Sequence, residues 1–246
     1  MDLRDSVVVV TGASSGIGKA TAWQLASRGA KLVVAARREV RLKKLAENIA
    51  AEGGRALPVA VDVTSLEDLE RLRDETLRTY ERVDVLVNNA GVPGPGPLAK
   101  ASIEDIDRCI DVNFVSVVHA TKVFLPAFLD QKQGHLVNVA SLAGRYATPS
   151  VSVYSATKHA VVAFSESLKP GARAIHVEAG TRGPRHRHRD RAGHRSRVQH
   201  SSMGGRGTSS VPRWAATGQA FRVLTLPLYR WAMSTATRRF GDTTAD

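Results

Sequence analysis

Residues 6–18 read SVVVVTGASSGIG. Four consecutive valines predict a strand buried on both faces, as strands of a parallel sheet are. Three glycines follow, Gly12, Gly16 and Gly18. Glycine lets the chain turn sharply and lets its backbone come close to another group. Helical spacing then begins at once in GIGKATAWQLASRGA, residues 16–30. In this order, a strand, a glycine-rich loop and a helix open a βαβ unit able to cradle a pyrophosphate. The helix aims free N–H groups and the positive end of its dipole at the phosphates. A lone glycine-rich loop could also be a plain tight turn. Its place between strand and helix favours the dinucleotide reading. Gly12, Ser14, Ser15, Gly16, Ile17 and Gly18 are thus candidate cofactor-binding residues.

The same alternation continues downstream. KLVVAA (31–36), ALPVAVDV (56–63), VDVLVNNAG (83–91) and HLVNVAS (135–141) read as further strands. AIHVE (174–178) could start a sixth. Between them lie helical segments: EVRLKKLAENIAAEGG, closed by two glycines, and LEDLERLRDETLRTY, with acids early and a basic residue late to suit the dipole. A long helical stretch from Ile103 to Asp130 and VYSATKHAVVAFSESL at 153–168 complete the series. Strands alternating with helices predict an α/β Rossmann fold, one doubly wound parallel sheet in a single domain over residues 1–246. The pattern lapses at about 178–210, where the only apolar residues are Ala179, Ala192, Val198 and Met203. That composition predicts a disordered segment.

An acidic residue about 20 positions after the glycine loop would hold a ribose 2′-hydroxyl and favour NAD. Here the second strand ends in Ala36, followed by Arg37 and Arg38. Arginine pairs with a 2′-phosphate through charge-assisted bonds, so NADP is the expected cofactor and NAD the alternative. Tyr154 and Lys158 form Y-x-x-x-K and share one helix face. A lysine ammonium near a phenol favours the phenolate, which suits Tyr154 as a general acid and base. Ser141 lies at the end of the fifth strand, where ligands of open α/β sheets bind. Asn113, taken alone, reads as a polar residue inside a helix bonding to backbone. His119, His135 and His159 have no second ligand at a metal spacing, and Cys109 has no partner.

Together, TGASSGIG, the NNAG at 88–91, Asn113, Ser141, Tyr154 and Lys158 resemble the short-chain dehydrogenase/reductase family in its single-domain form, over about residues 5–177. The resemblance implies hydride transfer between NAD(P) and a small-molecule carbonyl/alcohol pair. It implies that Tyr154 is the acid/base, that Lys158 binds the nicotinamide ribose, and that Ser141 holds the substrate oxygen. Asn113 would anchor a water relay to Lys158. Asp62 and Val63 would contact adenine, with Asn89, Ala90 and Gly91 beside the adenosine ribose and Asn88 structural. It also implies a homodimer or homotetramer. No metal is expected.

One stretch departs from that family. At residues 181–197 the chain reads TRGPRHRHRDRAGHRSR, where the family has a Pro-Gly turn and then a threonine closing over the nicotinamide. An RNA-binding arm on a catalytically impaired scaffold, a metal site from His186, His188 and His194, and a disordered insertion are three readings. A shifted reading frame is the fourth. Back-translating residues 180–191 with free degenerate bases, and reading one nucleotide later, permits E-P-G-x-x-V-T-D-I-A-T. That restores a Pro-Gly turn and a threonine at the family's spacing.

The net charge of +12 is concentrated in the same region. Residues 1–177 hold 22 Lys/Arg against 19 Asp/Glu, while residues 178–210 hold 8 against 2. The main body is nearly balanced and gives no reason to expect a nucleic-acid partner. A single cysteine excludes a disulfide framework within the chain. The start of the chain shows no cleavable signal, and no uninterrupted apolar run reaches the roughly 18–20 residues that span a bilayer. A cytoplasmic enzyme is the expectation. FRVLTLPLYRWAM (221–233) leaves room for weak interfacial membrane contact.

Overall fold

A computed structural model describes residues 3–147 and 149–168 with their side chains, and residues 175–180 by their backbone. Six parallel strands form one sheet in the order β3-β2-β1-β4-β5-β6: β1 (Val7–Thr11), β2 (Lys31–Ala36), β3 (Arg55–Ala60), β4 (Val85–Asn88), β5 (Gly134–Val139) and β6 (Ile175–Gly180). The helices are α1 (Gly16–Ala26), α2 (Glu39–Ala51), α3 (Leu66–Tyr80), α4 (Ile103–Ile110), α5 (Ser116–Asp130) and α6 (Ser152–Leu168). β6 runs to Gly180, into the segment at 178–210 expected to be disordered. Backbone pairing to β5, from Gly134–Ile175 to Val139–Gly180, carries it there despite the thinning apolar pattern. The Arg/His-rich run beyond it, with the four readings attached to it, and the apolar stretch at 221–233 lie outside the described residues.

Alternation along β1 shows why the valine run is a strand. Val9 joins Phe124 and Phe128 of α5 and Leu69 and Leu72 of α3 on one side of the sheet. Val8 and Val10 join Leu25 of α1 and Leu42, Leu45 and Ile49 of α2 on the other. Both faces are covered, so no position on β1 can be polar until its last residue, Thr11. Val161 and Val162 of α6 pack against Val117 of α5 and Ala140.

The stretch from Ile103 to Asp130 is continuous helix but not uniform. Between α4 and α5 it widens into a π-turn at Asp111–Val115, which contains Asn113. The sequence shows no uninterrupted apolar run of spanning length, yet by mean hydropathy this stretch is long and apolar enough to cross a membrane. Half of its most apolar 18-residue window is buried in the protein, chiefly by α5 against the sheet.

A buried polar chain ties the sheet to the helices beside the site. Asn88 Nδ2 donates to Asn138 Oδ1 at 2.9 Å and to Thr121 Oγ1 at 3.3 Å. Asn138 Nδ2 then donates to Ser165 Oγ at 2.9 Å. Each hydroxyl at the ends donates to a helix carbonyl, Thr121 to Val117 and Ser165 to Val161. Every member is bonded, which a buried network requires if it is not to destabilise the fold. β4, β5, α5 and α6 are thereby held in one register.

Phe124 is fully buried where α5 meets the sheet. Phe124→Ala should lower the unfolding free energy by about 3–5 kcal/mol in urea denaturation. A loss below about 1 kcal/mol would show that this core is not the one that holds the sheet.

Candidate active site

The strand order reverses between β1 and β4, and the crevice at their carboxyl ends is where a doubly wound sheet takes its ligand. A cleft of about 550 Å³ opens there. Gly12, Ser14, Ser15, Gly16, Ile17, Gly18, Arg37, Arg38, Asp62, Val63, Asn89, Ala90 and Gly91 all line it. Ala36, Val61, Val92 and Val112 complete the wall; of these the sequence singles out only Ala36, where an acid would favour NAD.

The glycines explain how the loop and the β4 end come together. A Cβ on Gly12 would lie 2.8 Å from Ala90 Cα, and one on Gly18 would lie 2.4 Å from Asn89 Nδ2. Neither position has room for a side chain. Gly16 differs: its φ is +54° and a Cβ would meet nothing within 4 Å. It faces open space at the N-terminus of α1, the place a pyrophosphate needs. The donor-rich helix end and an open cradle above it fit a dinucleotide.

Thr11 is a residue the sequence reading missed. Its Oγ1 accepts from Asn89 N at 3.0 Å and Ala90 N at 3.1 Å, and donates to Val87 O at 3.3 Å. Asn89 Nδ2 returns a bond to Thr11 O at 2.9 Å. The available signal was a polar residue ending an otherwise apolar strand, directly before the glycine loop.

On the far rim, Arg38 reaches back to the loop. Its Nε and Nη2 donate to Ser14 Oγ at 3.1 and 2.8 Å, and Nη2 donates to Ser15 Oγ at 2.7 Å. Arg37 lines the cleft as well, and both arginines are exposed. Beside them the Asp62 turn is fixed by Asp68, whose Oδ2 accepts from Asp62 N at 2.8 Å. That backbone bond, followed by the bond from Arg71, holds the Asp68 carboxyl below the usual carboxylate range. Asp62 Oδ1 in turn accepts from Thr64 N and Thr64 Oγ1.

Asn113 is fully buried on the π-turn, and its amide is spoken for. Oδ1 accepts from Val92 N and Nδ2 donates to Val92 O, both at 2.9 Å, and Nδ2 also meets Cys109 Sγ at 3.3 Å. Thus Asn113 grips both polar groups of one residue just past β4. Its side chain bonds to backbone, as it would on a purely local reading.

Ser141 follows β5 and caps the short 3₁₀ turn Leu142–Gly144, where its Oγ accepts from Ala143 N at 3.2 Å. Among the described residues its own hydroxyl proton has no acceptor. Tyr154 and Lys158 lie one turn apart on α6, with the Lys158 Nζ 5.8 Å from the Tyr154 ring centroid. Lys158 is buried, and its Nζ donates to Val139 O at 3.0 Å. Burial pulls its ammonium down to about 8, against a weaker opposing influence of Cys109. Gly144 seats α6 here, since a Cβ on it would lie 2.5 Å from Lys158 O. His159 Nδ1 bonds within α6 to Ser155 O, and among the described residues no His, Cys, Asp and Glu cluster could hold a metal.

Comparison with known proteins bears on the family and the fold. The family model for short chain dehydrogenase matches residues 6–181. An uncharacterized oxidoreductase of Listeria monocytogenes is 41% identical over 169 residues, covering 69% of this chain and 68% of that one. A short-chain dehydrogenase/reductase from Burkholderia phymatum, solved with NAD, is 37% identical with a TM-score of 0.69, over 74% of this chain and 65% of that one. An actinorhodin polyketide ketoreductase variant solved with NADPH is 36% identical with a TM-score of 0.69, over 71% of this chain and 69% of that one. A metagenomic short-chain oxidoreductase solved with NADP is 34% identical with a TM-score of 0.71, over 75% of this chain and 85% of that one. The chain spans about two thirds of the length of the Listeria and Burkholderia relatives. On the extent of these matches the protein belongs to the short-chain dehydrogenase family.

Proposed function

We propose that the chain is an NADP-preferring oxidoreductase that interconverts a carbonyl and a secondary alcohol, with Tyr154 as the acid and base. The observation that carries the cofactor preference is Arg38. Its guanidinium is drawn across the loop by Ser14 and Ser15, and β2 ends in buried Ala36 instead of a carboxylate. Ser14 and Ser15 take the Arg38 Nε and Nη2, which turns the Nη1 N–H groups and the positive charge toward a 2′-phosphate, and β2 ends in no acid that would repel it.

When bound, the nicotinamide supplies or accepts the hydride. The chain's own groups handle the oxygen and the proton. Ser141 donates its free hydroxyl proton to the substrate oxygen, and Tyr154 gives its proton to that oxygen in reduction or takes it in oxidation. Lys158, anchored on Val139 O, sets a positive charge beneath the Tyr154 ring at neutral pH. Because the Asn113 amide is committed to Val92, its side chain holds the Val92 backbone and does not itself pass a proton toward Lys158.

Incubating the full chain with NADPH and a panel of aldehydes and ketones, while following NADPH loss, tests the activity. Tyr154→Phe should cut turnover by about 100-fold or more. Turnover that survives Tyr154→Phe would remove this residue from the chemistry. Arg38→Ala should weaken NADPH by about 10-fold or more relative to NADH. Equal loss for the two cofactors would contradict the preference.

The buried lysine gives a stability prediction with a definite sign. Unfolded, Lys158 titrates near 10.5, and in the native state at about 8. Below the lower value both states hold the proton, and the native state bears a buried charge at a cost on the order of 3 kcal/mol. Between the two values only the unfolded state keeps the proton, so native stability rises with pH across that window. Lys158→Met should therefore be more stable than the wild type near neutral pH, less a part for the lost bond to Val139 O. Its advantage should shrink as pH climbs through the window. A difference that stays constant with pH would contradict the assignment.

A further inference from the structure

Pro93, Gly94, Pro95, Gly96 and Pro97 form the link between the NNAG segment and the 3₁₀ turn Leu98–Lys100. Prolines fix φ at three of these five positions, so the link has few conformations to lose. It is anchored at both ends. Asn113 holds the N–H and the C=O of Val92 just before it. Lys100 N donates to Pro97 O at 2.9 Å at its far end. Its middle presses on the acid/base: a Cβ on Gly94 would lie 2.7 Å from Tyr154 Cβ and 3.6 Å from both Tyr154 Cγ and Tyr154 N. Those three Tyr154 atoms are the nearest heavy atoms to that position.

We infer that this proline-glycine link is a rigid strut that sets where the Tyr154 ring stands, with Gly94 as the positioning residue. The inference rests on the reading of Tyr154 as the acid/base. The π-turn holds Val92 through Asn113, Val92 fixes the start of the link, and Gly94 backs the first turn of α6. Gly94 does not occupy the left-handed region, so alanine is free of that backbone strain, and its Cβ meets Tyr154 first. Gly96 supplies the control. Its φ is +85° and a Cβ there meets nothing within 4 Å, so Gly96→Ala strains the same link without touching the ring.

The test uses the full chain labelled with 3-fluorotyrosine, which places a probe on each of its four tyrosines. Tyr154→Phe assigns the Tyr154 resonance. Gly94→Ala should move that resonance and Gly96→Ala should leave it in place. With a panel carbonyl, Gly94→Ala should lower kcat by about 10-fold or more while the NADPH dissociation constant stays within about two-fold. A Tyr154 resonance unmoved by Gly94→Ala overturns the strut. A moved resonance with unchanged kcat overturns its role in positioning for catalysis. A moved resonance in a protein that turns over no carbonyl leaves the strut standing and removes the reductase reading instead.

Discussion

The structure depends on how closely the ends of β1 and β4 approach one another. They diverge to opposite sides of the sheet in connectivity, yet Gly12 packs against Ala90 and Gly18 against Asn89 with no space for a side chain. Thr11 then bonds two successive N–H groups of the β4 end. This contact closes the floor of the crevice and leaves the N-terminus of α1 open above it. Move either strand end outward and the loop, the NNAG segment and the Val92 anchor all shift together.

Around that floor the chain buries groups that a stability-driven fold would avoid. Asn113, Asn138 and Asn88 are all buried, and Lys158 is a buried amine. The asparagines are repaid by hydrogen bonds, at both amide ends for Asn113 and Asn138 and through the amide nitrogen for Asn88. Lys158 has one hydrogen bond among the described residues, to Val139 O, and burial still holds its ammonium below the usual lysine range. Groups held at such cost mark the part of the molecule that serves chemistry.

Much of this was legible in the sequence, and the exceptions have physical reasons. KLVVAA and LEDLERLRDETLRTY coincide with β2 and α3 residue for residue, because a short apolar run and a capped amphipathic helix are signals complete within themselves. The helix at 103–130 was legible in extent but not in its π-turn, since one extra residue per turn leaves the apolar spacing almost unchanged. Arg37 and Arg38 looked equivalent; only Arg38 reaches Ser14 and Ser15, a choice made by side-chain direction at the end of β2. Thr11 escaped notice because its partners lie 78 and 79 residues away. Gly94 escaped for the same reason: its meaning comes from Tyr154, on another element.

The cofactor proposed for the crevice above β1 and β4 is a nicotinamide dinucleotide with a 2′-phosphate. Its most direct test is titration of the full, folded chain with NADPH and with NADH, followed by cofactor fluorescence. The account predicts saturable binding at one site per chain, tighter for NADPH. A chain that unfolds cooperatively yet binds neither cofactor would contradict it.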